Sequence, residues 1–240
     1  MFRKLLTGSA GAAIAIAAIA VAANAASAPR TASAPVFDPN NFVAVIDNPY
    51  YPLPVGRTLV YSGLKDGQTQ RDTVTVTNQT KVILGVTTTV VSDIADHNGT
   101  LLEKTADWYA QDKQGNVWYL GEDTVHYLPH GKTDTSGSWE AGVNGAQPGI
   151  IMEANPQIPD SYRQEYLAGQ AEDTAWIVDR GGTVSVPYGK VRNVLTTLEA
   201  TRLEPGAYDQ KIYGPGIGIV SELAITGDPE TAQLESVTGP

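Results

Sequence analysis

The residues of this chain that could do chemistry are three histidines, His97, His126 and His130, and 26 acids set against 16 lysines and arginines. His126 and His130 stand four apart, which on a helix would put both on one face. Tyr127-Leu128-Pro129 argues against a helix, and in a strand four residues span about 13 Å, too far for one metal ion. Asp112-Lys-Gln-Gly-Asn116 lacks the alternating acids and final glutamate of a calcium loop and reads as a turn. No metal site and no cofactor are expected. There is no cysteine, hence no thiolate nucleophile and no disulfide. Nucleophilic hydrolysis has no Gly-x-Ser-x-Gly or Ser-x-x-Lys support, and Ser136 and Ser138 sit in a Gly/Ser turn. Among the acids, Glu140, Glu153 and Glu165 lie in or near an irregular stretch and would be tested first for paired-carboxylate chemistry.

Aromatic residues offer a second kind of site. All four tryptophans (Trp108, Trp118, Trp139, Trp176) fall in the middle of the chain, and aromatics with a few polar groups are what small-molecule pockets are made of. Trp108 and Trp118 fit a β core. Trp139, between Ser138 and Glu140, is harder to place there. The leading expectation is an exported, non-catalytic protein that binds a small or apolar ligand at one end of a β-barrel. Trp139, Met152, Tyr162 and Tyr166 would supply apolar contacts, and Glu140 and Glu165 would orient the ligand. The alternative is a carboxylate- or His-dependent hydrolase, lyase or isomerase using Glu140, Glu165 and His126 in the same pocket.

These residues must be positioned by strands. Residues 71–77 alternate Thr and Val, the period-two mark of a half-buried strand. Strand-like runs recur at 58–61, 81–84, 86–92, 175–178, 183–186, 191–197, 210–213, 217–225 and 232–237, divided by Gly, Asn, Asp and Pro; Asn98-Gly99 signals a hairpin, and Gly181-Gly182 separates two runs. With no sustained helical period, the expected fold is all-β: a single antiparallel barrel or strongly curved sheet. Residues 129–160, holding four prolines and five glycines, read as a long irregular loop over one end. Asn48-Pro-Tyr-Tyr-Pro-Leu-Pro54 reads as an extended, polyproline-like approach to the first strand.

One hairpin can be written residue by residue. Around a three-residue loop with Gly115 in the left-handed position, Ala110 should face Trp118, Tyr109 Tyr119, Trp108 Leu120 and Asp107 Gly121. Alternation then gives one face of Ala106, Trp108, Ala110, Trp118 and Leu120, with Glu122 and His126 beyond, and a second of Glu103, Thr105, Asp107, Tyr109, Tyr119 and Asp123. The first face reads as core. The second reads as a solvated outer face, in preference to a polar lumen that binds a cation or polyol.

The N-terminus reads as a leader: Arg3 and Lys4, an alanine-diluted apolar run over 14–21, and a cleavage site after Ala25. That run is short against the roughly 20 residues of a spanning helix, no second candidate follows, and no cysteine is present to carry a lipid. Residues 1–25 are therefore expected to be a signal peptide, 26–47 a flexible lead-in and 48–240 the β domain, secreted or periplasmic. Losing Arg3 and Lys4 takes the formal charge from −10 to −12. Such a surface repels nucleic acid and anionic lipid and fits cations, cationic molecules or, in preference, simple solubility; the small-molecule ligand expected as partner rests on the aromatic residues.

Three segments resemble a group of uncharacterised exported bacterial β-rich proteins. They are Asn48-Pro-Tyr-Tyr-Pro-Leu-Pro-Val-Gly56; the 107–119 hairpin with Ser138-Trp-Glu-Ala-Gly142 and Pro148-Gly-Ile-Ile-Met152; and Tyr213-Gly-Pro-Gly-Ile-Gly-Ile-Val220. The last is similar to a Tyr-x-Pro-Gly-x-Gly-x-Val element of periplasmic β-barrels of lipoprotein-carrier type. The resemblance implies an exported β architecture and carries no activity or catalytic residue with it.

Overall fold

A computed structural model of the chain describes residues 35–65, 67–227 and 229–240. The expected signal peptide and the first part of the lead-in lie outside them. Among the described residues sixteen antiparallel strands form one sheet. The first half is a meander of long strands, β2 (Thr58–Lys65), β3 (Gln68–Ile83), β4 (Val86–His97), β5 (Thr100–Asp112) and β6 (Val117–Leu128), preceded by the short β1 (Phe42–Val43). Five short strands follow: β7 (Lys132–Asp134), β8 (Trp139–Glu140), β9 (Gln147–Met152), β10 (Ser161–Arg163) and β11 (Glu165–Tyr166). A second meander ends the chain: β12 (Asp173–Val186), β13 (Gly189–Thr201), β14 (Tyr208–Gly214), β15 (Gly218–Thr226) and β16 (Glu230–Thr238).

The sheet curls into a nearly closed barrel. On one side β16 pairs with β2, joining the two meanders. On the other, the segment 161–166 divides its pairing between the two free edges. Ser161 to Arg163 pair with β12, and Glu165 and Tyr166 pair with β9. Gln164 between them gives its N–H to the Asp173 carbonyl at 2.8 Å. Gly149 is what allows this seam to close. A Cβ there would lie 2.3–2.4 Å from the backbone of Gln164 and Arg163, well inside contact distance. Gly149→Ala must push the closing segment off β9, at a cost of about 1–3 kcal/mol. Urea unfolding should show that loss; an unchanged midpoint would mean that the seam yields freely.

The all-β barrel expected from the sequence is what forms, and its turns fall where the glycines and asparagines stand. Asn98 and Gly99, both with positive φ, make the two-residue turn between β4 and β5. Gly115 at φ +97 closes the β5–β6 loop, with the Asp112 N–H on the Asn116 carbonyl. Three local readings change. Gly181-Gly182 does not separate strands: β12 runs through it, and the glycines mark register shifts that bend the strand. Residues 129–160 are not irregular throughout, since β7, β8 and β9 within them pair with β6. The proline-rich 48–54 segment is a turn rather than an extended approach. Asn48 fixes it, accepting the N–H groups of Tyr50 and Tyr51 and donating to the carbonyls of Gly115 and Glu153.

The expected lead-in is also tied down over its described part. β1 pairs with the end of β5, Ile46 is buried, and Phe37 and Phe42 pack their rings 5.5 and 5.8 Å from Trp118. Residues 37–46 thus cover the outside of the β5–β6 hairpin. Among the described residues no helix is long and apolar enough to cross a membrane.

Candidate functional site

The hairpin chosen as the best-defined element is also where inside and outside were misread. Its register holds from Gln111↔Val117 to Tyr109↔Tyr119, then slips: Asp107 faces Glu122, not Gly121. Gly121, at φ +134, takes up the extra residue, and its missing Cβ admits the Trp139 carbonyl, which would otherwise lie 2.3 Å away. Past this bulge the parity reverses. Glu122, Thr124 and His126 join the Tyr119 face, and Asp123 turns out to solvent.

The face assigned to solvent is the lumen. Thr105, Asp107, Tyr109 and Tyr119 are each 3 % exposed or less. The apolar face of Trp108 and Trp118 lies on the outer side, where the Lys81 ammonium sits 3.4 Å over Trp108 and the Phe37–Phe42 pair covers Trp118. Both faces are buried, so apolar character alone could not say which one looks inward.

Strand alternation brings further inward groups to the same level. Asp72 on β3 lies opposite Tyr61 on β2 and Ala95 on β4, Thr105 is opposite Asp93, and Lys211 on β14 is opposite Glu222 on β15. Tyr61, Asp72, Asp93, Asp107, Lys211 and Glu222, with Tyr51 from the 48–54 turn, Tyr109 and Tyr213, wall a central cavity of about 70 Å³. That exceeds several-fold the ~10–15 Å³ that holds one water. Leu59, Val74, Val91, Ile151 and Ile219 supply its apolar wall, and the half-buried Pro52, Leu53 and Ile217 form a rim. The rim joins two of the segments that carried the family resemblance: the Gly216 N–H donates to the Pro49 carbonyl at 2.7 Å.

The tyrosines form a continuous chain of rings. Tyr109 stacks on Tyr119 with centroids 4.9 Å apart, Tyr51 meets Tyr109 edge-on at 5.4 Å, and Tyr213 lies 6.3 Å beyond Tyr51. Four of the five lumen tyrosine hydroxyls donate to protein groups. Tyr61 donates to the Ile219 carbonyl at 2.9 Å, Tyr213 to Glu199 at 3.2 Å, and Tyr119 to Asp107 at 2.7 Å. Tyr109 donates to the Tyr51 oxygen. Burial pushes Tyr51 up to about 12 and the other four well above their ordinary value, so all stay neutral.

The carboxyls are more telling. Burial, reinforced by Asp93, pushes Asp72 up to about 8 and Asp107 up to about 6. Burial also raises Glu222, despite the nearby Lys211. Lys211 is itself spoken for. Its Nζ lies 2.7 Å from Glu199 Oε2, and although burial favours the neutral amine, the neighbouring acids hold it strongly protonated. The lumen thus carries several acids and one ammonium that is already paired.

A second polar cluster lies further along β5 and β6. His126 Nδ1 is 3.1 Å from Glu103 Oε2. Burial pushes the Glu103 carboxyl up, but the hydrogen bond and charge of His126 outweigh it and hold the group below the usual glutamate value. Among the described residues no three His, Asp or Glu side chains are arranged to hold a metal ion.

The residues singled out from sequence are only partly brought together. Trp139, Met152 and Tyr162 share one buried core with the lumen tyrosines, Trp139 meeting Tyr119 edge-on at 5.3 Å. None of the three lines the central cavity. Tyr166 is half-buried under the Arg163 guanidinium. Glu140 lies on the outer side in a 2.7 Å ion pair with Lys81, Glu165 is buried beside the β9 seam, and His126 is held by Glu103. Asp72, Asp93, Glu199, Lys211 and Glu222 were missed. For Asp72 a signal was present, because it shares parity with Val74 and Val76 in the alternating 71–77 run and so belongs on the inner face.

No protein-family model and no curated protein matches the chain. Among solved structures it is similar to a Bacteroides fragilis protein described as exported and of YmcC-like fold, at 16 % identity and a TM-score of 0.45, over 83 % of this chain and 100 % of that one. It is also similar to a Parabacteroides distasonis protein described as a lipoprotein, at 12 % identity and a TM-score of 0.40, over 82 % of this chain and 99 % of the other.

Proposed function

We propose that the chain is an exported, non-catalytic binding protein that holds a small ligand with apolar surface inside its barrel. The observation that carries this reading is the central cavity, walled by tyrosine rings and aliphatic side chains and bounded by a half-buried rim. Apolar walls with a few convergent polar groups are the usual make-up of small-molecule sites. The leader supports export. The dispersal of Glu140, Glu165 and His126 over three unconnected places supports binding over catalysis, since acid–base chemistry needs its groups within reach of one substrate.

The test uses benzyl alcohol as a neutral aromatic probe. Titration should move the amide resonances of Leu59, Val91 and Ile219, and Val91→Trp, which fills the cavity, should abolish those shifts. Ile219→Trp serves as a second blocking variant. Shifts spread over the outer surface, or unchanged by either variant, would sink the reading.

A further inference from the structure

We infer that the lumen cavity takes an organic ammonium group, its charge beside Asp72, Asp93 and Asp107 and its alkyl substituents on the tyrosine faces. This rests on the binding reading above and names the chemical class of the ligand. Asp72 supplies the first argument. It is 2 % exposed, and its one hydrogen-bond partner among the described residues is the Gln70 amide, at 2.9 Å on Oδ1. Asp72 also lines the cavity. An acid buried in this way is costly unless something complements it.

The wall chemistry narrows what that complement can be. Acids from β3, β4, β5 and β15 reach the cavity, and the one cation there, Lys211, is already neutralised by Glu199. An anion would find acids in the wall and no cation that is not already paired. A bare metal ion needs several oxygens at one point, and the described residues hold no such group. A polyol is matched less well, since the hydroxyls of Tyr61, Tyr109 and Tyr213 already donate to protein groups. What these tyrosines offer besides is aromatic surface in the cavity wall. Ring faces beside carboxylates suit a large, weakly hydrated cation, which needs no directional ligands. Capture of the cation favours the ionised carboxyls, so binding displaces protons from Asp72 and Asp107. Asp93, Glu222 and Lys211 face the same space and enter the same balance.

Choline and its uncharged isostere 3,3-dimethylbutan-1-ol separate charge from shape. Calorimetry on the full chain at about pH 8 should show choline binding at least about tenfold tighter than the alcohol, with proton release seen as a buffer-dependent enthalpy. Choline affinity should fall by about tenfold or more on acidification to about pH 5, whereas the alcohol should be indifferent to pH. Asp72→Asn should remove most of the preference by weakening choline far more than the alcohol, and Asp107→Asn should act in the same direction. Equal affinity for the two probes, no pH dependence, or full choline preference in both variants overturns the ammonium assignment. In those cases the benzyl alcohol titration decides separately whether the lumen binds anything.

Discussion

Asp72→Asn should make this protein more stable, and the gain should grow steeply between pH 5 and pH 8. The Asp72 carboxyl is 2 % exposed, and burial together with Asp93 pushes it up to about 8, against an ordinary value of 3.8. Between those two values the folded chain keeps a proton that the unfolded chain has released. Rising pH therefore favours unfolding. The stability is fully present below about pH 4, is lost progressively as pH climbs, and the loss levels off above about pH 8. At about 1.4 kcal/mol per pH unit, the interval from pH 5 to 8 is worth on the order of 4 kcal/mol.

Asparagine matches the neutral acid in shape and still accepts from the Gln70 amide. It carries no charge to desolvate or to repel Asp93. For a chain of this size the wild-type melting temperature should drop by about 10 °C over that interval, and the variant should remove most of the drop. Asp107, pushed up to about 6, adds a smaller effect of the same sign that is complete by about pH 6. Glu103, held low by His126, acts oppositely, its stabilisation being lost only as pH falls below the usual glutamate range. Parallel melting curves for wild type and Asp72→Asn across the whole interval would show that Asp72 is ionised in the folded lumen.

Much of this architecture can be read from the chain, and the parts that cannot have definite causes. Strands and turns are local: Thr/Val alternation, Asn98-Gly99 and the Asp112–Asn116 loop each state their conformation within a few residues. The inner face is not local. Trp108 and Trp118 look like core until Phe37, Phe42 and Lys81 are found lying over them. A single bulge at Gly121 then moves Glu122, Thr124 and His126 to the opposite face from the one that simple alternation assigns. Trp139 was singled out as foreign to the core because its neighbours are polar. The pairing of β8 with β6 buries it against Tyr119 all the same. The meeting of Asp72, Asp107, Lys211 and Glu222 depends on the order of strands around a barrel. Residues on β3 and β15 face one cavity only because β16 pairs with β2, a junction that no short-range pattern announces.

Lys211→Met should cost about 3–5 kcal/mol at neutral pH, because it strands a buried carboxylate. Glu199 is 5 % exposed and Lys211 6 %, with 2.7 Å between Nζ and Oε2. Thr197 and Tyr213 would still donate to Glu199 Oε1, at 3.0 and 3.2 Å, which softens the loss without removing it. Replacing both charges avoids the stranded ion. Lys211→Met with Glu199→Gln keeps an acceptor for both hydroxyls and should recover most of the loss, since a buried pair is worth little against well-packed neutral groups. Urea unfolding of the two single variants and the double variant gives the coupling directly. Near-additive losses would mean that the pair is solvated and that the lumen at this level is open to water. A strongly non-additive cycle would place Glu199 and Lys211 in a dry wall, where the ammonium has no share left to neutralise Asp72 and Asp107 across the cavity. The same double variant should then leave choline affinity within about threefold of wild type, because it removes a paired charge of each sign and leaves Asp72, Asp93 and Asp107 in place.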